Sequence, residues 1–150
     1  MSSHLLEMQD VVIEAEIDDE WRPIVNGLSL TLEKGEIVGL IGESGAGKST
    51  LGLAALGYTK PGCRIVSGSI KLDGLELTTL PEKQLRQLRG NRVSYVAQSA
   101  AAAFNPAHRL LAQFSESPVQ HGKMNRTEAA VKGRSLYRQL DLPDPESIGE

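Results

Sequence analysis

The run "IVGLI", Ile37 to Ile41, is apolar at every position and is followed at once by "GESGAGKST", Gly42 to Thr50. An alternating strand can leave one face in water, whereas a continuously apolar one needs cover on both faces, as in the parallel sheets of α/β proteins. The glycines that follow allow a backbone path that a Cβ would obstruct. "KSTLGLAAL" then supplies good helix formers. Strand, glycine turn and helix in direct succession point to an α/β fold. With 40% apolar content, 150 residues suffice for one core.

The flanking sequence adds elements of a different kind. "VVIEAEI" sets Val11, Ile13, Ala15 and Ile17 against Val12, Glu14 and Glu16, and "LSLTLE" alternates Leu28, Leu30 and Leu32 with polar residues, so both read as half-buried strands. "GSIKLDG" and "RVSYVAQ", the latter from Arg92 to Gln98, read as further short strands. Between them Pro81 opens a short helix, "PEKQLRQLR", that Gly90 ends. In "RTEAAVKGRSLYRQL" a helical stripe runs through Ala129, Gly133, Leu136 and Leu140, and "DLPDPE" breaks it.

Charge and cysteine content narrow the function classes. Sixteen basic against nineteen acidic residues give a net charge of -3, without the basic field of a duplex nucleic-acid binder, so nucleic acid is not an expected partner. One cysteine, Cys63, forms no internal disulfide, and "MSSHLLEMQD" has neither the basic nor the apolar region of a leader, which makes the cytosol the expected compartment. No apolar run approaches the roughly 18 residues that cross a bilayer. Cys63 and the scattered His4, His108 and His121 read as structural or surface residues.

Strand, then G-x-x-x-x-G-K-[ST], then helix is the context of a P-loop, here Gly42, Gly47, Lys48 and Ser49. Such a loop curls its N–H groups around phosphate oxygens, opens a helix whose N-terminus carries about half a positive charge, and adds a full charge at the β and γ phosphates. Lys48 is that charge, and the Ser49 hydroxyl is a Mg²⁺ ligand. The candidate nucleotide-binding set is therefore Gly42, Glu43, Ser44, Gly45, Ala46, Gly47, Lys48, Ser49 and Thr50.

The stretch "GLSLTLEKGEIVGLIGESGAGKSTL", with "GSIKLDG", Arg89-Gly90 and "VSYVAQ" in the same order, resembles an ABC transporter ATP-binding subunit. "AQSAAAAFNP" and "LDLPDPES" are similar to its dipeptide and oligopeptide importer branch. The resemblance implies a P-loop NTPase fold of ABC ATPase type: an incomplete core sheet, an N-terminal antiparallel β subdomain and the start of a helical subdomain. Residues 1–150 are then the N-terminal part of one nucleotide-binding domain, with the β subdomain and P-loop core over about 1–98 and the Q-loop and helical start over about 99–150. It also implies ATP and Mg²⁺ as cofactors, and Gln98 as a catalytic and Mg²⁺-contacting residue beside Lys48. The implied partners are integral-membrane permease subunits and a second ATP-binding subunit, and the implied place is peripheral, on the cytoplasmic side of the membrane.

Several features depart from the family pattern. Its adenine-stacking aromatic falls at Ala15, and Trp21 is the alternative, either stacking on the base or closing a hairpin half-exposed. The signature sequence, the Asp-Glu strand and the switch histidine lie past residue 150 in the resembled family, so ATP hydrolysis is expected of a full-length protein and not of this chain alone. A non-transport ABC-type ATPase, or a nucleotide-binding module without turnover, is the competing reading. The same topology leaves Ile37 to Ile41 and Val93 to Ala97 with unpaired edges.

Overall fold

Asp10 breaks the alternation of the first strand, and the sheet is built around that break. The computed structural model describes residues 4–43, 45, 47–99 and 103–149. Strand β1 (Leu6–Ile17) pairs antiparallel with β2 (Glu20–Leu32) on one side and with β3 (Cys63–Leu72) on the other; β4 (Leu75–Glu76) closes a four-stranded sheet of order β2-β1-β3-β4. Leu6 and Met8 are buried, and so are Val11 and Ile13, which strict alternation would send to the other face. A bulge at Gln9-Asp10, with Asp10 at φ 46°, shifts the phase by one residue and returns all four to the core. Ser29 holds the bulge by accepting from the Asp10 N–H at 3.0 Å. Across the ladder Gly68 adopts φ 93°, where a Cβ would stand 2.6 Å from the Gln9 carbonyl oxygen, so the bulge and this glycine require each other.

Turn chemistry fixes both hairpins. Asp18 and Asp19 have φ of 54° and 62°, and Asp73 and Gly74 have φ of 51° and 78°, the positive pairs of a type I′ turn whose twist matches that of the strands. Helix α1 (Lys48–Ala54) lays Leu51 and Ala54 against Met8, Val11, Ile13 and Ile70. Helix α2 (Glu82–Leu88) starts after Pro81 and buries Leu85. The Arg89 guanidinium, next to the end of α2, donates to the carbonyls of Leu56 (3.1 Å) and Gly57 just past α1, and to Glu82 (2.9 Å). It thereby satisfies carbonyls that a helix end leaves without partners.

Two of the expected strands do not form. Glu36–Ile41 and Arg92–Gln98 carry no ladder among the described residues; Val93 makes one isolated bridge, with Arg89. Apolar content prepares a segment for burial, but a strand also needs a neighbour to exchange main-chain hydrogen bonds with. Ile37, Val38 and Leu40 border a groove of about 280 Å³ lined also by Leu6, Met8, Leu30, Leu32 and Leu51; Val38 and Leu40 are 38% and 42% exposed, and Ile37 and Ile41 96% and 99%. The run is exposed on both sides, less so at Val38 and Leu40 than at Ile37 and Ile41.

The chain divides into a unit up to Tyr95, described above, and a unit from Val96 onward. In the second, α3 (Leu110–Gln120) packs on α4 (Arg126–Gln139). Asn125 and Glu128 form a reciprocal capping box at the start of α4, with N–H···O distances of 2.8 and 2.9 Å. The stripe on α4 buries Ala129 and Gly133, the latter against Leu111 and Phe114, but it runs out at Leu140, which is exposed. The sequence reading placed no helix over α3; Pro118 lies inside it, in the last turns, where its ring removes one i→i−4 hydrogen bond. Among the described residues no helix is long and apolar enough to cross a membrane.

Glu76 ties β3 to the turn after β4. Its burial opposes the charged form, but hydrogen bonds from the hydroxyls of Ser69 and Thr78 (the latter 2.6 Å) and from the N–H groups of Ile70 (3.0 Å) and Thr78 (3.2 Å) hold its pKa at about 2, below the ordinary 4.5. A depressed carboxyl pKa stabilises the fold above the unfolded value and stops doing so as pH falls through the folded one. The parent should therefore outlast Glu76→Gln at pH 7 by about 1–2 kcal/mol, after allowance for solvent screening of a half-exposed group. Urea unfolding at steps from pH 7 to pH 2 should show that gap closing between pH 4.5 and 2; a gap independent of pH would show that the carboxylate charge is not what matters.

Candidate phosphate-binding loop

The loop from Gly42 is positioned from below by β2. Gly47, at φ 76°, is the N-cap of α1 and accepts from the Leu51 N–H at 2.8 Å. A Cβ on it would stand 2.7 Å from the Ile24 carbonyl oxygen and 2.9 Å from Val25 Cγ2. Left-handed backbone and direct contact with the sheet both require glycine there. Gly45 also lies in the left-handed region, at φ 84°. Ser44 and Ala46 lie outside the described residues.

Lys48 folds back over the loop. Its ammonium donates to the carbonyls of Gly42 (2.8 Å) and Glu43 (2.5 Å). Both partners are neutral, so the positive charge meets no carboxylate and remains available to an anion. No acidic side chain lies in the first turn of α1, and none caps it. Gly42, Glu43, Gly45 and Ser49 are exposed, and Lys48 and Thr50 are half-buried. Among the described residues the arrangement is a cationic, glycine-shaped loop open to solvent, a shape suited to phosphate oxygens, with Ser49, exposed, as a hydroxyl of the kind that ligates a metal ion. Among the described residues no cluster of His, Cys, Asp or Glu could hold a metal by itself.

The other candidates lie elsewhere. Gln98 is exposed, in the second unit. Trp21 pairs with Glu16 across the hairpin, and Ala15 pairs with Arg22, so Trp21 and Ala15 point to opposite faces. Ala15 shares its face with Ile13, which pairs with Val25, the residue Gly47 packs on. Trp21 stands on the far face, under the Arg64 guanidinium at 4.0 Å, which Glu14 holds by two hydrogen bonds of 2.7 and 3.0 Å. That side of the sheet, and the covered ring face, favour the hairpin role over base stacking. The brace from Arg89 to the end of α1 was missed by sequence reasoning, although the Arg89-Gly90 pair was there to be noticed.

Since Gly47 has no room for a methyl group, Gly47→Ala should cost at least about 2 kcal/mol through left-handed strain and overlap with β2. Thermal unfolding monitored by circular dichroism would register this, and a melting temperature equal to the parent's would refute the contact.

The chain is similar to known proteins over most of its length. The sequence profile of the ABC transporter family matches residues 25–146. A probable peptide ABC transporter ATP-binding protein, y4tR, of Sinorhizobium fredii is 31% identical over 95% of this chain and 43% of its own length. The oligopeptide transport ATP-binding protein AppD of Bacillus subtilis is 35% identical over 84% of this chain and 39% of its own. The probable D,D-dipeptide transport ATP-binding protein DdpD of Escherichia coli is 38% identical over 80% and 37%. The chain thus spans less than half the length of these relatives. Among solved structures, the dimeric bacterial ABC transporter cassette MJ0796 superposes with a TM-score of 0.77 at 18% identity, over 97% of this chain and 61% of that one. The phosphate-loop geometry, the cassette fold and the profile match lead to one conclusion: the chain belongs to the ABC transporter family.

Proposed function

We propose that the chain binds Mg-ATP through Gly42–Thr50 as the nucleotide-binding part of an energy-coupling ATPase subunit, in an ABC importer for peptides or similar small solutes. The observation that carries this is the Lys48 ammonium, held at the mouth of the loop by neutral carbonyls alone. The names of the relatives support the peptide class. On this reading Lys48 leaves Gly42 and Glu43 to meet the β and γ phosphates, while the loop N–H groups hold the remaining oxygens. The Ser49 hydroxyl and Gln98 would hold Mg²⁺, which when bound would supply positive charge against the phosphates. Gln98 would also register the permease subunit, and a second ATP-binding subunit, a copy or a paralogue, would complete a pair on the cytoplasmic face of the membrane. Trp21 is carried forward as a hairpin residue. Hydrolysis is assigned to the longer protein, so the 150 residues alone should release no phosphate above background.

A charge-assisted contact contributes about 1.5–3 kcal/mol, so Lys48→Ala should weaken Mg-ATP binding roughly ten- to a hundredfold. Calorimetry on parent and variant tests this directly; equal affinities would remove the phosphate-cradle reading.

A further inference from the structure

Gln113, in the first turns of α3, spends its whole carboxamide on one turn of the preceding chain. Its Oε1 accepts from the Asn105 N–H at 2.8 Å, and its Nε2 donates to the carbonyls of Asn105 at 3.0 Å and His108 at 2.9 Å. The turn is also closed internally: the His108 N–H donates to the Asn105 carbonyl at 3.1 Å, and the Asn105 side chain accepts from the Ala107 N–H at 3.0 Å. Asn at the first position and Pro106 at the second suit such a turn. Only one orientation of the amide satisfies all three bonds, since the flipped one would face N–H with NH₂ and two carbonyls with oxygen. A carboxylate could keep the single acceptor contact but not the two donations. An asparagine, one methylene shorter, would not span from the helix to both carbonyls.

We propose that Gln113 is a positioning residue: it anchors the downstream end of the segment that starts at Gln98, fixing where that segment joins the helical unit. Its functional weight rests on the reading of Gln98 given above. Asn105 and His108 are thereby tied through one side chain to α3. The turn itself is exposed, as is Phe104 beside it, so little packing is available to hold it if these bonds are lost.

The test is amide-exchange protection, residue by residue, in the 150-residue chain and in Gln113→Leu and Gln113→Glu. Leucine keeps the apolar stem and loses every bond; protection at Asn105 and His108 should fall at least tenfold while Ala129 to Gly133 in α4 stay within twofold of the parent. With Gln113→Glu the Asn105 N–H keeps its acceptor, while protection at His108 should fall at pH 7 and recover in part near pH 4, where the introduced carboxyl regains one proton to donate. A packing role would show no such pH profile. The proposal is overturned if Asn105 is unprotected in the parent, if its protection survives in Gln113→Leu, if α4 loses protection equally, or if Gln113→Glu does not recover at low pH. Mg-ATP affinity should be the same in parent and Gln113→Leu. A parent that binds no Mg-ATP would count against the nucleotide function, while the exchange profile alone decides the role of Gln113.

Discussion

The approach of Gly47 to Ile24 and Val25 is the contact on which the arrangement depends. It sets the phosphate loop on the antiparallel sheet, and it fixes the first residue of α1, whose Leu51 and Ala54 complete the core around Met8, Val11 and Ile13. Because α1 begins at Lys48, its register also decides where the ammonium can reach. Loop, helix and sheet therefore share one point of attachment, and a single added carbon there disturbs all of them.

Around that point the sheet follows its own local rules. The bulge at Asp10 restores a common face to Leu6, Met8, Val11 and Ile13, and the positive-φ pairs at Asp18-Asp19 and Asp73-Gly74 set the hairpin registers. The acidic and basic side chains mostly act as clasps between neighbouring elements: Arg89 across the end of α1, Glu76 across the β3–β4 turn, Arg64 and Glu14 beside Trp21. Each is partly exposed, so each adds modestly to stability while fixing geometry.

The phosphate-loop motif stands out in the sequence because the chemistry proposed for it demands particular residue types at fixed spacing, and the family resemblance rests on the same residues. The alternating strands were legible from period two, though not the bulge, since a phase shift at Gln9-Asp10 leaves no mark in composition. Glu36–Ile41 read as a strand because it is apolar throughout; the reading captured its need for cover but not the lack of a ladder partner, which no local pattern reports. Trp21 depended on register: sequence proximity to Ala15 could not reveal that the hairpin turns the two to opposite faces. Gln113 was invisible because a glutamine on a helix is unremarkable until the turn it holds is in view.

The apolar but exposed run from Ile37 to Ile41 bears on the order in which the molecule assembles. The β1–β2 hairpin joins neighbours in sequence and pays little loop-closure entropy, so it can form early and offer Leu6, Met8, Leu30 and Leu32 as a ready apolar floor. Val38 and Leu40 gain partial cover from that floor, and Ile41 none. The proposed phosphate loop is thus reached through an exposed segment, whose last residue, Ile41, leads straight to Gly42.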